Sequence, residues 1–179
     1  MKIGIFTKTI HVEKLVNFLN TLNIDYFIST SKPEVQAFDF DVGVSYCFPY
    51  IVDINYPVSD MRLWYNFHPA PLPKYHGLNN YSWAIKDKIK SFGVTLHIMT
   101  DEVDKGEVLK IKTFDLSSIP INSNELGCIT HYYLFQLFKE TIIALTKAPK
   151  NKKEFDKVIR SSIEEVAYER EEDTKGVYL

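Results

Sequence analysis

An asparagine and a histidine two positions apart, Asn66 and His68, stand directly before a proline-rich stretch in the middle of the chain. In a β-strand, residues two apart point to the same side, so both side chains would face the same ligand. Pro69 ends the strand at once, because proline lacks the N–H that a strand ladder needs. An amide and an imidazole in this position could stabilise negative charge developing on a carbonyl oxygen and transfer a proton.

A carboxylate could join this pair from a second segment. Asp104, followed by Gly106, lies in the polar turn between two predicted antiparallel strands, Gly93–Met99 and Glu107–Leu116. A carboxylate close to a histidine favours the imidazolium form, which would suit a general acid working near neutral pH. Asn-x-His alone is a common pattern, and the alternative that His68 only hydrogen-bonds a loop carbonyl stays open here.

The pattern of apolar residues predicts the elements that would position these side chains. Short apolar strands are predicted at Lys2–Phe6, Ile24–Ile28, Asp41–Tyr46 and Arg62–His68, with an apolar helical spacing between the first two. Strands alternating with helices are typical of a parallel sheet covered by helices. His68 would then stand at the carboxyl edge of the sheet, where open α/β sheets bind their ligands.

Helices are also predicted after the proline-rich stretch. One covers Asn79–Lys88, and one of about 20 residues begins at Ser123, with its apolar residues on one side. A polar break follows, and then a further helical pattern begins. We therefore predict a core over residues 1–147 and a C-terminal helical arm over residues 148–179, which packs on the core or on a partner.

The composition limits the classes of protein that remain. The chain has 179 residues, 45% of them hydrophobic and 25% charged, which is ordinary for a soluble globular protein. A net charge of −2 gives no field that would attract nucleic acid or an anionic membrane. Cys47 and Cys128 lie far apart, and their spacing predicts neither a disulfide framework nor a zinc site. With no signal peptide or membrane span in the sequence, we expect a cytoplasmic protein.

The two segments NFHPAPLPKYHG and GVTLHIMTDEVDKGEVL together resemble the formyltransferases that use 10-formyltetrahydrofolate. That family carries Asn-x-His-Pro-(small)-x-Leu-Pro-x-(aromatic)-x-Gly, followed by Gly-Val-Thr and Asp-x-Gly-x-Ile/Leu. The resemblance extends more loosely from the first strand to about Leu145, and its style is closest to the sugar N-formyltransferases. It implies a Rossmann-like α/β catalytic domain over residues 1–147, with a mainly parallel central sheet and helices on both faces.

The resemblance also implies roles for individual residues. The catalytic residues would be Asn66, His68 and Asp104, and the formyl donor would be 10-formyltetrahydrofolate. Its pteridine ring would lie between two segments that follow strands, and no metal is implied. The donor-binding residues would be Tyr46, Cys47, Phe48 and Ile51 on one side and Thr100, Asp101, Glu102 and Val103 on the other, and the acceptor would contact Lys74, Tyr75, His76 and Gly77.

The first turn of the chain bears on which amine accepts the formyl group. Glycinamide ribonucleotide formyltransferases place a glycine-rich loop there to hold a phosphate, whereas this turn reads FTKTIH, with no glycine after Gly4. Methionyl-tRNA formyltransferases and formyl-tetrahydrofolate hydrolases carry additional domains that this sequence does not show. By elimination, we expect a small-molecule acceptor, an amino sugar linked to a nucleotide, and a homodimer is possible. Glycinamide ribonucleotide, methionyl-tRNA and a catalytically inactive folate-binding module remain as alternatives.

Overall fold

Six strands form the central sheet of the computed structural model, which describes residues 2–31, 40–52, 63–117, 122–147, 157–158 and 161. The strands are β1 (Lys2–Thr7), β2 (Asp25–Ser29), β3 (Val42–Tyr46), β4 (Leu63–His68), β5 (Ser91–Ile98) and β6 (Val108–Asp115). Their order in the sheet is β2-β1-β3-β4-β5-β6. The first four strands pair in parallel, whereas β5 pairs antiparallel with both β4 and β6. The predicted mainly parallel sheet, with an antiparallel final pair, is confirmed.

Three described helices pack together on one face of this sheet: α1 (Thr9–Leu19), α2 (Asn80–Lys86) and α3 (Ser123–Lys147). Phe18 of α1 packs edge-on against Phe135 and Phe138 of α3. The ring of Tyr81 in α2 lies against Gly127 of α3, where an added Cβ would meet the ring at 3.3 Å. None of the helices in the described part of the chain is long and apolar enough to cross a membrane.

The alternation of side chains along the central strands divides the core into two layers. Tyr46 of β3 and Phe67 of β4 face the helices, and each ring centroid lies 5.4 Å from that of Phe138 in α3. The opposite face carries a smaller apolar cluster formed by Phe6, Phe40, Val52 and Trp64. Strands buried on both faces need apolar residues at nearly every position, which is why these strands read as apolar runs.

Most predicted elements occur close to their expected bounds. The helix that begins at Ser123 is 25 residues long, longer than the predicted length, because its apolar side continues to pack through Leu145. The predicted arm over residues 148–179 lies outside the described residues except for positions 157, 158 and 161. Its packing therefore stays a prediction.

Thr95 of β5 fixes the proline-rich segment beside the end of β4. Its hydroxyl donates a hydrogen bond to the carbonyl oxygen of Ala70 (2.7 Å) and accepts one from the N–H of Leu72 (3.0 Å). Thr95 is fully buried and lies directly opposite His68 in the antiparallel pair. The segment that follows His68 is therefore held against the sheet by a side chain as well as by its own stiff prolines.

Replacing Thr95 by valine tests this anchor, because valine keeps the shape of threonine and removes the hydroxyl. The buried carbonyl of Ala70 and N–H of Leu72 would lose their partner, so the free energy of unfolding should fall by about 1–3 kcal/mol. Thr95→Ser keeps the hydroxyl and should lose less. Thr113→Val, at an exposed position of the neighbouring strand β6, is the matched control and should stay within about 0.5 kcal/mol of wild type. Denaturant unfolding of the three variants measures the effect, and a Thr95→Val protein as stable as wild type would contradict the role of the hydroxyl.

Candidate active site

Four polar side chains meet on the face of the sheet that lies opposite the helices. Asn66 and His68 alternate along β4 with the helix-facing residues Tyr65 and Phe67, so they point to the other side. In the antiparallel pair, Asn66 lies opposite His97 and His68 lies opposite Thr95. Directly opposed residues share a face of the sheet, so β4 and β5 build this polar site together.

His68 makes a polar contact through each of its ring nitrogens. Its Nε2 lies 2.9 Å from the carbonyl oxygen of Tyr75, and its Nδ1 lies 3.4 Å from Oδ1 of Asp104. A carbonyl oxygen and a carboxylate both accept hydrogen bonds, so the imidazolium, which carries a proton on each nitrogen, satisfies both contacts. The side chain is buried, which leaves it few other partners.

Asp104 connects the two sequence motifs. Its Oδ2 accepts a hydrogen bond from the N–H of Gly77 (3.0 Å), and its Oδ1 lies 3.7 Å from Nε2 of His97 in addition to its contact with His68. Burial by itself would raise the pKa of the Asp104 carboxyl group. The hydrogen bond and charge of His68 and the hydrogen bond from the Gly77 N–H outweigh burial and lower this pKa to about 2. Asp104 is therefore an ionised carboxylate at neutral pH.

Two glycines allow the loops around Asp104 to approach one another. Gly77 has a φ of 73°, in the left-handed region that favours glycine, and its N–H reaches the carboxylate from this conformation. A Cβ placed on Gly106 would lie 1.6 Å from the carbonyl oxygen of Ile98, so no larger residue fits where the loop returns to β5. The Asp-x-Gly spacing thus puts the carboxylate of Asp104 two residues before the point where the loop backbone packs against Ile98 of β5.

His97 orients the amide of Asn66. Nδ1 of His97 lies 2.8 Å from the carbonyl oxygen of Ile98, and its Nε2 lies 2.9 Å from Nδ2 of Asn66. Because the carbonyl only accepts, Nδ1 carries the proton of the neutral ring and Nε2 accepts a hydrogen bond from the amide. Burial is the main cause that lowers the pKa of His97, and it favours this neutral form. The second amide hydrogen of Asn66 is not committed to any described residue.

The predicted acceptor residues divide into two groups. Tyr75 and Gly77 contribute to the site through their backbones, since the Tyr75 carbonyl contacts His68 and the Gly77 N–H contacts Asp104. The buried ring of Tyr75 packs on Phe92, and its hydroxyl donates a hydrogen bond to Oδ2 of Asp87 (3.0 Å). Lys74 lies with its Nζ 5.7 Å from the centroid of the Tyr75 ring. Lys74 and His76 are both partly exposed at the surface of this segment.

The predicted donor-binding segments follow β3 and β5, which flank β4 as expected. The ring of Tyr46 belongs to the helix-side core, so the structure does not bring this side chain together with Asn66 and His68. Phe48 packs against Phe6 at 5.8 Å on the other face, and Ile51 is 77% exposed. Cys47, between the helix-facing Tyr46 and Phe48 on the other face, has a left-handed φ of 50°. On the far side of β4, the residues Thr100, Asp101 and Glu102 are exposed, and Val103 is 44% exposed.

His97 contacts Asn66 and Asp104 in the site, although neither sequence motif assigned it a role. The signal that could have identified it is the alternation of side chains along its own strand. In the predicted antiparallel strand, His97 is two residues from Thr95, so both side chains share one face. Which residue it would meet on β4 could not be read from the sequence, because the register also depends on the length of the loop between the strands.

The lowered pKa of Asp104 predicts how stability changes with pH. A carboxyl group with a pKa of about 2 when folded and near 3.8 when unfolded stabilises the folded state fully above pH 4. That contribution, on the order of 2 kcal/mol, should be lost as the pH falls from 4 to 2. Asp104→Asn should therefore be less stable than wild type at pH 7 and should show a flatter stability curve between pH 4 and 2.

Urea unfolding at a series of pH values measures this difference. Glu102→Gln, which removes an exposed carboxylate from the same loop, is the matched control and should keep the wild-type slope. Equal slopes for wild type and Asp104→Asn below pH 4 would contradict the stabilisation of the Asp104 carboxylate.

Residues 54–119 match a protein-family model described as Formyl transferase. The phosphoribosylglycinamide formyltransferase of Haemophilus influenzae is 42% identical over 57 residues, which cover 30% of this chain and 27% of that protein. The bifunctional polymyxin resistance protein ArnA of Wigglesworthia glossinidia brevipalpis is 42% identical over 45 residues, 25% of this chain and 7% of that protein. The chain therefore aligns with about a quarter or less of the length of these relatives.

Solved structures share the fold over a larger part of the chain. A 4-N formyltransferase from Francisella tularensis has a TM-score of 0.67 at 18% identity, covering 81% of this chain and 69% of that one. The phosphoribosylglycinamide formyltransferase of Anaplasma phagocytophilum has a TM-score of 0.63 at 17% identity, with coverages of 78% and 84%. An N-formyltransferase from Helicobacter canadensis, in complex with folinic acid and dTDP-3-aminofucose, has a TM-score of 0.66 at 21% identity, with coverages of 80% and 63%. The resemblance inferred from the sequence is thus confirmed: residues 54–119 carry the formyl transferase family pattern, on a described fold that solved formyltransferases share.

Proposed function

We propose that this protein transfers a formyl group from 10-formyltetrahydrofolate to a primary amine. The observation that carries the proposal is the convergence of Asn66, His68 and Asp104 on one side of β4. Asp104 lies 3.4 Å from His68, and His97 contacts both Asn66 and Asp104. The family match over residues 54–119 supports the same class of reaction.

The hydrogen-bond donors of this site match what formyl transfer requires. When an amine attacks a formyl carbon, negative charge develops on the formyl oxygen. The uncommitted amide N–H of Asn66 can donate a hydrogen bond to that oxygen, and the Nε2–H of the buried His68 can donate a second one when it leaves the carbonyl oxygen of Tyr75. The hydrogen bond from Asn66 to His97 fixes the amide in advance, so little reorganisation is needed during the reaction.

The transfer also requires a proton to leave the attacking amine and another to reach the departing nitrogen. With Nδ1 held by Asp104, His68 can deliver the second proton from Nε2 by exchanging the carbonyl oxygen of Tyr75 for the departing nitrogen, and the neutral ring that remains can accept the proton lost by the amine. With a pKa of about 2, Asp104 itself carries no proton at neutral pH. Its role is therefore to orient His68 and stabilise its charge, and it does not act as the acid.

The 10-formyltetrahydrofolate donor, which supplies the electrophilic formyl carbon, would bind between the segment 46–52 and the loop 100–104. The strands that precede these segments, β3 and β5, lie on either side of β4, and Asp104 at the end of the second segment contacts His68. Because the Tyr46 ring faces the helices, the first segment would contact the pteridine ring through its backbone and through Phe48 and Ile51. The second would contribute the exposed backbone of Thr100–Val103.

We further propose that the acceptor is the amino group of a nucleotide-linked sugar. The turn between β1 and α1 supports this choice, because it contains no glycine that would let the backbone wrap a phosphate. Instead, Thr7 ends β1 by donating a hydrogen bond to the carbonyl oxygen of Tyr46 (2.7 Å). Glycinamide ribonucleotide is the second candidate acceptor, favoured by the 42% identity to the Haemophilus influenzae enzyme.

Substitution of the three polar residues tests the mechanism. His68→Ala and Asn66→Ala should each lower kcat by about 10²–10³-fold while folate binding persists, because each removes a donor that acts in the transition state. Asp104→Asn should also lower kcat, since it removes the carboxylate charge that contacts Nδ1 of His68. Release of tetrahydrofolate measures turnover. His68→Ala with near-full turnover on the best acceptor would refute the assigned mechanism.

A panel of acceptors tests the choice of substrate with the wild-type protein. Nucleotide-linked amino sugars, glycinamide ribonucleotide and methionyl-tRNA are each supplied with the formyl donor, and tetrahydrofolate release is compared. Turnover with the amino sugars is expected. Turnover only with glycinamide ribonucleotide would keep the reaction and overturn the acceptor, and calorimetric binding of folate without turnover on any amine would identify an inactive binding module.

A further inference from the structure

A second group of side chains meets on the helix side of the sheet, away from Asn66 and His68. One ring nitrogen of His11, one of His131 and Sγ of Cys47 lie within 4.8 Å of one another. His11 is in α1, His131 is in α3 and Cys47 directly follows β3. The ring of His11 packs edge-on against the helix-facing ring of Tyr46, with centroids 5.4 Å apart, which places the group in this layer.

We propose that His11, Cys47 and His131 form a binding site for a divalent transition metal ion of the zinc class. Two imidazoles and a thiolate are the ligands that zinc prefers, and three protein ligands leave the fourth tetrahedral position to a water molecule. The ligand atoms of a tetrahedral zinc site lie about 3.5 Å apart. The three atoms would therefore need to approach one another by about 1 Å, which small side-chain rotations can supply. The proposal does not depend on the formyl-transfer activity.

The surroundings of the two histidines support this assignment. Nδ1 of His131 is buried and has no hydrogen-bond partner among the described residues. The two imidazole rings lie 5.1 Å apart, and among the described residues their other ring neighbours are Tyr46 and Tyr81. A buried ring nitrogen without a partner is costly, and coordination to a metal ion would satisfy it.

The charges around the group set the conditions for binding. Burial and the positive charges of Lys8 and Lys14 lower the pKa of both His11 and His131 to about 4, so both rings are neutral and have a lone pair to donate. Burial raises the pKa of the Cys47 thiol to about 12, although the same lysines oppose the rise. Binding a metal ion would therefore release the thiol proton to solvent and form the metal–sulfur bond without any redox change. The lysines disfavour a dication, and the thiolate charge offsets part of that repulsion.

A bound ion would join three elements that are distant in the sequence. It would connect the start of α1, the end of β3 and the middle of α3 through one centre. Since the ion would bind the folded chain and not the unfolded one, it should raise the thermal stability of the protein.

Titration of the metal-free full chain with Co²⁺ tests the site, because a cobalt–thiolate centre absorbs in the near ultraviolet and a tetrahedral one absorbs strongly in the visible. The wild type is expected to bind one Co²⁺ per chain with both signals and to lose them when Zn²⁺ is added. Cys47→Ser should lose the thiolate band, and His11→Ala and His131→Ala should weaken binding by more than about 100-fold, beyond the effect of outer-sphere partners.

Cys128→Ser is the matched control, because it removes the other free cysteine, which is exposed and lies outside the group. It should bind Co²⁺ as the wild type does. Thermal unfolding adds a second readout: Zn²⁺ should raise the Tm of wild type and of Cys128→Ser but not that of His131→Ala. Absence of the thiolate band in folded wild type, or its survival in Cys47→Ser, would overturn the proposal. If Cys47→Ser does not fold, unchanged Co²⁺ affinity in His131→Ala would overturn it instead.

Discussion

The buried carboxylate of Asp104 is the interaction on which the polar site depends. A charge in a nearly water-free position is stable only when its oxygens are paired and hydrogen-bonded. One oxygen accepts the N–H of Gly77 and the other faces His68 and His97, so a single side chain holds the proline-rich segment, β4 and β5 together. The two sequence motifs are therefore parts of one electrostatic unit, and neither can be placed correctly without the other.

The conformation of the backbone follows from that requirement. Asp104 has a φ of 58°, and Gly77 has a φ of 73°, so both loops turn through the left-handed region to bring the carboxylate and the N–H together. Such a conformation is costly for aspartate and persists only when the surrounding contacts determine it. The close approach of Gly106 to Ile98 supplies part of that determination from the sheet. The ion pair between Asp104 and His68 thus offsets the cost of this backbone conformation, and the conformation in turn brings the carboxylate to the histidine.

The sequence predicted which residues form this site better than it predicted the contacts between them. The alternation of side chains placed Asn66 and His68 on one face, and the short turn brought Asp104 back toward them. Sequence periodicity could not indicate that the backbone N–H of Gly77 would bind the carboxylate, because such contacts depend on loop geometry. It also could not show that the Tyr46 ring faces the helices, since all five residues of β3 are buried and burial alone does not distinguish the two faces of the strand. His11, Cys47 and His131 meet only in the folded chain, so their spacing carries no recognisable motif.

Strand β4 gives the site its rigidity, because its alternate residues belong to two different environments. Tyr65 and Phe67 are fully buried in the helix-side core, where Phe67 packs against Phe138 of α3. Asn66 and His68 are neighbours of these residues along the same backbone, so they cannot shift without moving a close-packed core. A site on a free loop would have no such constraint. The aromatic core therefore does more than stabilise the fold, because it fixes the face of the sheet from which the amide and the imidazole project. Contacts with His97, Tyr75 and Asp104 then set the orientation of the two side chains on that face.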